Sequence, residues 1–184
     1  MDRKDINIHE LRRDILGNSS SHGDLAPGTA VSELSIDPLT GLLPRSLWLG
    51  QMNQFYEYGR RVKIKFAIAM MDIDNFRDYN NQKGHLEGDK VLERFGQCIR
   101  NRFREADIKG RYGGDEMIVM LTEFNLHDSQ IETEEKTLIE DLGSMCNIEI
   151  SLGIAKWDGT ESLKELIKRA DERLYFIKNG KKNE

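Results

Sequence analysis

The spacing of hydrophobic residues predicts a helix, a buried strand and two further helices in the middle of the chain. Apolar residues at helical spacing mark 44–61 and 86–104, and each set forms one face of a helix. Residues 63–72 alternate at first and then become almost wholly apolar, which is typical of a buried strand. A short helix, capped by Asp74 or Asn75 and ended by Gly84, is predicted to follow this strand.

The pattern continues to the end of the chain. Strands at 107–112 and 117–121 flank two glycines and predict a hairpin. A weaker helix at 126–142, a strand at 148–157 and an amphipathic helix at 163–177 follow. After the first helix the order is β-α-α-β-β-α-β-α, which predicts an α+β domain with a central, mostly antiparallel sheet and its helices largely on one face.

Residues 1–36 differ in composition from the rest of the chain. Their Gly- and Ser-containing stretch at 17–29 is typical of a flexible segment, and 9–16 has the pattern of a short helix. An alternative is that this short helix helps two copies of the chain to meet. We expect the domain itself to span 37–184.

Composition excludes several classes of protein. The 184 residues suffice for one domain, and 27 Lys and Arg against 32 Asp and Glu give a net charge of -5, unlike a protein that coats nucleic acid. Cys98 and Cys146 are too few for a disulfide framework. The longest apolar run, 66–71, cannot span a membrane, and the charged start shows no signal segment. We expect a cytoplasmic protein with no membrane or nucleic-acid partner.

Two carboxylates, Asp72 and Asp74, directly follow the buried strand. A carboxylate beside apolar residues is costly unless a cation or hydrogen-bond donors compensate its charge. Capping of the short helix accounts for Asp74 but leaves Asp72 without a partner. A divalent cation would be such a partner, and oxygen ligands suit magnesium.

Two more carboxylates, Asp115 and Glu116, follow the glycines of the predicted hairpin. Asp and Glu are poor strand residues, so their presence there needs a reason. Neighbouring side chains of a strand point to opposite faces, so only one of the two has to share a face with Asp72. An acid on each of two adjacent strands is the minimum for a two-metal site of phosphoryl transfer.

The short helix after the buried strand offers groups for a nucleotide. Asn75, Phe76 and Arg77 would open this helix, and their backbone N–H groups would be free to bind phosphate. Farther on, Asn80 and Asp89 can together read a guanine edge, because a carboxylate accepts its N–H groups and an amide faces its acceptors.

Near the end of the chain, Lys178 and Lys182 are four residues apart and share one face of the last helix if it persists. They could hold a triphosphate. Composition alone favours the simpler interpretation, in which terminal lysines are solvated and balance the helix dipole.

In this order, the segments resemble the GGDEF domain, the diguanylate cyclase family, over about 37–183. The resemblance rests on motifs that are specific in combination: Asp37-Pro-Leu-Thr-Gly-Leu42 with Arg45, Asp72-Ile-Asp-Asn-Phe-Arg77 with Asn80, Gly84-His85 and Gly88-Asp89, Arg111-Tyr-Gly-Gly-Asp-Glu-Met117, Ser151-Leu-Gly-Ile-Ala155, and Arg169-Ala-Asp-Glu-Arg-Leu-Tyr175. The chain departs from the usual residues at Pro44, Arg77, Asn81, Met117 and Lys182, and none of these departures removes a metal ligand.

The resemblance implies a palm-like nucleotide-cyclase fold and a role for each matching residue. Asp72, the Ile73 carbonyl and Asp115 would hold Mg²⁺ (or Mn²⁺), and Asp115 and Glu116 would be the catalytic carboxylates. A larger set would bind the substrate GTP: Asn75, Phe76, Arg77, Asn80, Asp89, Gly114, Lys178 and Lys182.

The resemblance also implies the reaction and the assembly. Each domain of a homodimer would bind one GTP, and each 3′-hydroxyl would attack the α-phosphorus of the other nucleotide. The products would be cyclic di-GMP and two pyrophosphates. Arg104 and Asp107 form an R-x-x-D motif five residues before the hairpin glycines, where the family's product binds and inhibits.

Two alternatives stay open at the level of sequence. One is a catalytically weak GGDEF domain that acts as a cyclic di-GMP receptor, and the intact Asp72, Asp115 and Glu116 argue against it. The other is a related palm-type cyclase with a different nucleotide. Asp89, which would read guanine, argues against adenine.

Overall fold

The computed structural model describes residues 36–182, without the side chain of Lys182, so the expected flexible segment lies outside the described residues except for Ile36. None of the helices in this range is both long and apolar enough to cross a membrane. The described elements, in chain order, are α1 (Arg45–Val62), β1 (Ala67–Ile73), α2 (Phe76–Lys83), α3 (His85–Arg102), β2 (Ile108–Gly113), β3 (Glu116–Leu121), α4 (Asp128–Cys146), β4 (Ile150–Lys156) and α5 (Leu163–Lys182).

The four strands form one sheet in the order β2-β3-β1-β4, and every neighbouring pair is antiparallel. The central strands are therefore β1 and β3. Asp72, near the end of β1, lies directly opposite Glu116 of β3 and Ser151 of β4. This antiparallel sheet flanked by helices confirms the predicted α+β fold class.

Helices cover both faces of the sheet, so the expectation that they lie largely on one face is wrong. One face carries α1 and α5, whose Trp48 and Leu166 belong to one buried cluster. The other face carries α3 and α4, whose Phe95 and Leu142 belong to a second cluster.

The sequence of β1 explains this two-sided cover. All seven of its residues are buried, and the adjacent Met70 and Met71 belong to different clusters because neighbouring side chains point to opposite faces. A strand that is apolar on both faces gains from burial only when helices cover both.

The last helix, α5, lies very close to β4 at Gly153. A β-carbon at this position would overlap the backbone of Arg173 and Leu174, so the close approach requires glycine. The contact fixes α5 against the strand next to β1, and the final turns of α5 then reach the end of β1.

An ion pair between a buried carboxylate and a half-buried arginine anchors the edge strand β4. Glu135 of α4 is 1% exposed and accepts a hydrogen bond from the backbone N–H of Ile154 at 2.9 Å. The guanidinium of Arg173 donates to the same carboxylate at 2.7–3.1 Å. This carboxylate pairs an N–H that an edge strand would otherwise leave open, and it joins α4 to α5.

We expect Glu135→Ala to lower the free energy of unfolding by about 3 kcal/mol, because it removes the partner of Arg173 and of the Ile154 N–H. Chemical denaturation measures this loss. Glu132→Ala is the control on the same helix, since Glu132 pairs with Lys136 at the surface, and its loss should cost less than about 1 kcal/mol. Equal losses in the two variants would contradict an anchoring role for Glu135.

Candidate functional site

Three carboxylates meet where β1 ends and the β2–β3 hairpin turns. Asp72 and Glu116 are opposite residues of antiparallel strands, so their side chains lie on the same face of the sheet. Asp115 lies in the turn just before Glu116, near enough for its charge to act on both. The structure thus brings the three predicted acids together, and Glu116 is the one opposite Asp72.

The charges of these acids disfavour one another. Burial raises the pKa of Asp72 above its ordinary value, a hydrogen bond from Lys178 opposes this effect, and the charge of Asp115 adds to it. Burial also raises the pKa of Glu116, and the charges of Asp72, Asp115 and Asp171 raise it further. An arrangement of this kind favours a bound cation.

Two lysines of α5 bring positive charge to the site. The ammonium group of Lys178 donates a hydrogen bond to Oδ1 of Asp72. Lys181 donates to Oδ2 of Asp74 at 2.8 Å, and the other oxygen of Asp74 accepts from the hydroxyl of Ser151 at 2.7 Å. Both lysines therefore pair with carboxylates at the end of β1.

The structure decides between two predicted caps of α2 and adds one lysine to the predicted site. Asn75, and not Asp74, is the N-cap of α2; it has a left-handed backbone (φ 56°) and makes no side-chain cap hydrogen bond. Lys181 joins Lys178 at the site, although the sequence prediction omitted it. A spacing of three residues was the available signal, since it puts both on one helical face. The side chain of Lys182 lies outside the described residues.

The chemistry of these acids suits a divalent, oxygen-binding cation. Carboxylate oxygens are preferred ligands of Mg²⁺, and a cation would relieve the repulsion among Asp72, Asp115 and Glu116. Within 36–182, however, no three His, Cys, Asp or Glu side chains are assembled as a ready metal site. Lys178 instead contacts one of the candidate ligands. The ligand set with the Ile73 carbonyl stays a prediction.

The first turn of α2 begins beside the carboxylates. The N–H groups of a first helical turn lack partners within the helix, and Asn75 contributes no side-chain cap. The backbone N–H groups near Phe76 and Arg77 therefore suit a phosphate, as the sequence predicted.

The two predicted guanine readers lie on adjacent helices that pack closely. Oδ1 of Asn80 is buried and has no hydrogen-bond partner among the described residues. It lies against Gly88, where a β-carbon would collide with it. Asp89, the next residue, is exposed. A buried acceptor without a partner costs about 1–3 kcal/mol, which a hydrogen-bonding ligand would recover.

Arg111 braces the turn of the hairpin. Its Nε and Nη2 donate to the carbonyl oxygen of Gly114 at 3.0 and 2.8 Å, and its Nη1 donates to Asp37 at 3.1 Å. Burial would raise the pKa of Asp37, but hydrogen bonds from Thr40 and Arg111 lower it below its ordinary value. The opening motif thus supports the loop that carries Asp115.

Arg104 and Asp107 lie in different environments. Asp107 is 3% exposed, and its oxygens accept from the N–H and hydroxyl of Thr122 at 2.9 and 3.1 Å and from the N–H of Arg104 at 3.0 Å. Its carboxylate is therefore a structural part of the turn between α3 and β2. The Arg104 side chain is exposed and lines a cavity of about 450 Å³ together with Phe124 and Leu126.

An antiparallel sheet with clustered acids at the end of a central strand defines a palm-like domain of the nucleotide-cyclase type. The chain belongs to the family described as diguanylate cyclase, GGDEF domain, whose sequence profile matches residues 34–184.

Curated relatives support this membership. Diguanylate cyclase A from Treponema denticola is 36% identical over 129 residues, which are 66% of this chain and 34% of that protein. Diguanylate cyclase DosC from Escherichia coli K12 is 30% identical over 158 residues, or 82% of this chain and 34% of that protein. The chain therefore spans about a third of the length of these relatives.

Solved structures share the fold. The GGDEF domain of DgcB from Caulobacter crescentus, solved in complex with c-di-GMP, matches with a TM-score of 0.71 at 23% identity, over 87% of this chain and 94% of that one. A sensory box/GGDEF family protein from Caulobacter crescentus CB15 matches with a TM-score of 0.68 at 25% identity, over 79% of this chain and 99% of that one.

We expect Asp107→Ala to lower the free energy of unfolding by about 2 kcal/mol, because the N–H and hydroxyl of Thr122 lose their buried acceptor. Arg104→Ala, three residues away, should change it by less than about 0.5 kcal/mol, since its side chain is exposed. Thermal and chemical denaturation of both variants measure the difference. An Asp107→Ala protein as stable as Arg104→Ala would show that this carboxylate has no structural role.

Proposed function

We propose that this chain is a diguanylate cyclase, which converts two GTP into cyclic di-GMP and two pyrophosphates. The observation that carries the proposal is the meeting of Asp72, Asp115 and Glu116 beside the first turn of α2. Membership of the GGDEF family and the names of its curated relatives support the same reaction.

The phosphates would bind between α2 and α5. Backbone N–H groups at Asn75, Phe76 and Arg77 would donate to them, as helix starts do to anions. Lys178 would add a positive charge, since its ammonium group already lies at the end of β1. Lys182, whose side chain lies outside the described residues, stays the second predicted phosphate ligand, and Lys181 pairs with Asp74 beside the site.

The guanine would be read by Asn80 and Asp89. The Asp89 carboxylate would accept from the two N–H groups of the guanine edge, and the Asn80 amide would face its acceptors. The buried, unpartnered Oδ1 of Asn80 supports a ligand contact at this place, because the second hydrogen of the guanine amino group would satisfy it while the amide N–H faces an acceptor of the base.

Catalysis would depend on the acids of the hairpin. Mg²⁺ or Mn²⁺, held by Asp72, Asp115 and the Ile73 carbonyl, would polarise the α-phosphate and favour ionisation of the 3′-hydroxyl. Asp115 or Glu116 would accept the proton of that hydroxyl. Glu116 lies directly opposite Asp72, which suits this role.

The reaction joins two nucleotides, and residues 36–182 of each chain form one candidate site of this kind. We therefore propose a homodimer in which the two sites face each other and each 3′-hydroxyl attacks the other nucleotide. The specific activity should then fall on dilution as the dimer dissociates. We place the reaction in the cytoplasm, where GTP and Mg²⁺ are supplied.

The product would also act as an inhibitor at Arg104. The exposed guanidinium beside a cavity suits a guanine edge or a phosphate, and Asp107 would position it through the Arg104 backbone. Calorimetry with cyclic di-GMP tests this part of the proposal. Equal affinities for the wild-type protein and Arg104→Ala would refute it.

The same cavity favours a second candidate, a cyclic di-GMP receptor with little or no catalysis. Binding of cyclic di-GMP by a protein that forms none of it from GTP and Mg²⁺ would favour this candidate over the cyclase.

We expect the protein to form cyclic di-GMP from GTP and Mg²⁺, and Glu116→Gln to lower the rate by about a hundredfold or more, because the site loses a charged catalytic acid. Chromatography of the products measures both rates. Glu140→Gln is the control, since Glu140 is an exposed acid on α4, and its rate should equal that of the wild type. An unchanged rate in Glu116→Gln would contradict the catalytic assignment.

We also expect Asp89→Ser to reduce the preference for GTP over ATP by at least about tenfold, because a site that hydrogen-bonds a base rejects the wrong base through its unpaired polar groups. Direct competition between the two nucleotides measures the preference. Glu93→Ser, one helical turn later and also exposed, should leave it unchanged. The same preference in Asp89→Ser and wild type would remove Asp89 from the base site.

A further inference from the structure

Lys178 and Lys181 of α5 pair with carboxylates that have different proposed roles. Lys178 pairs with Asp72, a proposed metal ligand, whereas Lys181 pairs with Asp74, which has no proposed contact with a metal. Both ammonium groups belong to the last two turns of one helix, so their surroundings differ mainly in the partner that each one meets.

The two ion pairs also differ in the number of hydrogen bonds that hold their members in place. Lys181 donates to Asp74 and to the carbonyl oxygen of Ile150 at the start of β4. Asp74 is itself held by the hydroxyl of Ser151, and its own backbone N–H donates to the carbonyl oxygen of Glu149 at 2.9 Å. Lys181 thus belongs to a connected set of hydrogen bonds that joins the β1–α2 turn to β4.

The contact of Lys178 is simpler. Among the described residues its ammonium group has one hydrogen-bond partner, Asp72, and its side chain is 30% exposed. A long, flexible side chain held at one point can leave that point at low cost when an anion is offered elsewhere. The phosphates of a nucleotide at α2 would be such an anion.

We infer that Lys178 leaves its carboxylate, Asp72, when a nucleotide binds, whereas Lys181 stays paired with Asp74. In the nucleotide-free chain Lys178 compensates Asp72 and thereby competes with a divalent metal for that carboxylate. When a nucleotide binds, Lys178 moves to its phosphates and releases Asp72, so nucleotide and metal favour each other's binding. This inference rests on the proposed function for the location of both ligands.

Mn²⁺ alone, without nucleotide, is the first probe. Electron paramagnetic resonance of free Mn²⁺ should show that Lys178→Met binds the ion about fivefold more tightly than the wild type, which is about 1 kcal/mol. Lys181→Met is the matched control, with the same charge change on the same helix, and should tighten binding less than about twofold, because Asp74 is not a ligand. Lys178→Arg keeps the cation and should keep the wild-type affinity.

GTP in the presence of a metal chelator is the second probe. Lys178→Met should bind it about tenfold more weakly than the wild type, because a charged contact with the phosphates is lost. The opposite signs for metal and nucleotide distinguish exchange from general damage to the fold. Lys178→Gln is the second variant should Lys178→Met not fold, and the same two changes are expected of it.

Two results would overturn the inference. One is a Lys178→Met protein whose Mn²⁺ affinity equals that of the wild type. The other is an equal gain in Lys181→Met, which would show that only net charge matters. The Mn²⁺ measurement needs neither GTP binding nor turnover, so a protein that forms no cyclic di-GMP would contradict the proposed function and leave the exchange standing.

Discussion

Repulsion among carboxylates at the end of β1 is the constraint to which much of the structure responds. Asp72 ends a strand that is buried on both faces, so water compensates its charge poorly, and the sheet register puts Glu116 directly opposite. The hairpin turn then adds Asp115. Such a cluster is stable only with positive charge nearby. Lys178 and Lys181 of the last helix provide that charge.

The position of these lysines depends on contacts far from the acids. Backbone contact at Gly153 sets the distance between α5 and β4, and the ion pair of Glu135 with Arg173 ties α5 to α4. A helix is stiff along its axis, so fixing it at Arg173 also fixes where Lys178 begins, one and a half turns later. The ion pair of Glu135 and Arg173 thus has a structural role, and it helps to set the position of Lys178 at the site.

Sequence reasoning predicted the acid cluster because its cause is local. Asp72 lies near the end of a buried strand, and Glu116 begins the second strand of the hairpin. Antiparallel pairing of these two strands is enough to bring the two residues together. It did not predict Lys181 at the site or the buried role of Asp107. Both depend on packing between distant segments: the phase of α5 against β4 decides the first, and the approach of Thr122 decides the second.

The opening motif, 37–42, joins the hairpin to α3, the helix that ends just before Arg104. Asp37 binds Arg111, which holds the carbonyl of Gly114, while the carbonyl of Thr40 accepts from Arg100 of α3. Leu43 pairs with the outer edge of β2, so this short segment contacts both β2 and α3. This segment therefore supports both the loop that carries Asp115 and the helix that ends beside Arg104. A displacement of 37–43 would therefore disturb both supports, because the Asp37 carboxylate that holds Arg111 and the Thr40 carbonyl that holds Arg100 belong to one short segment.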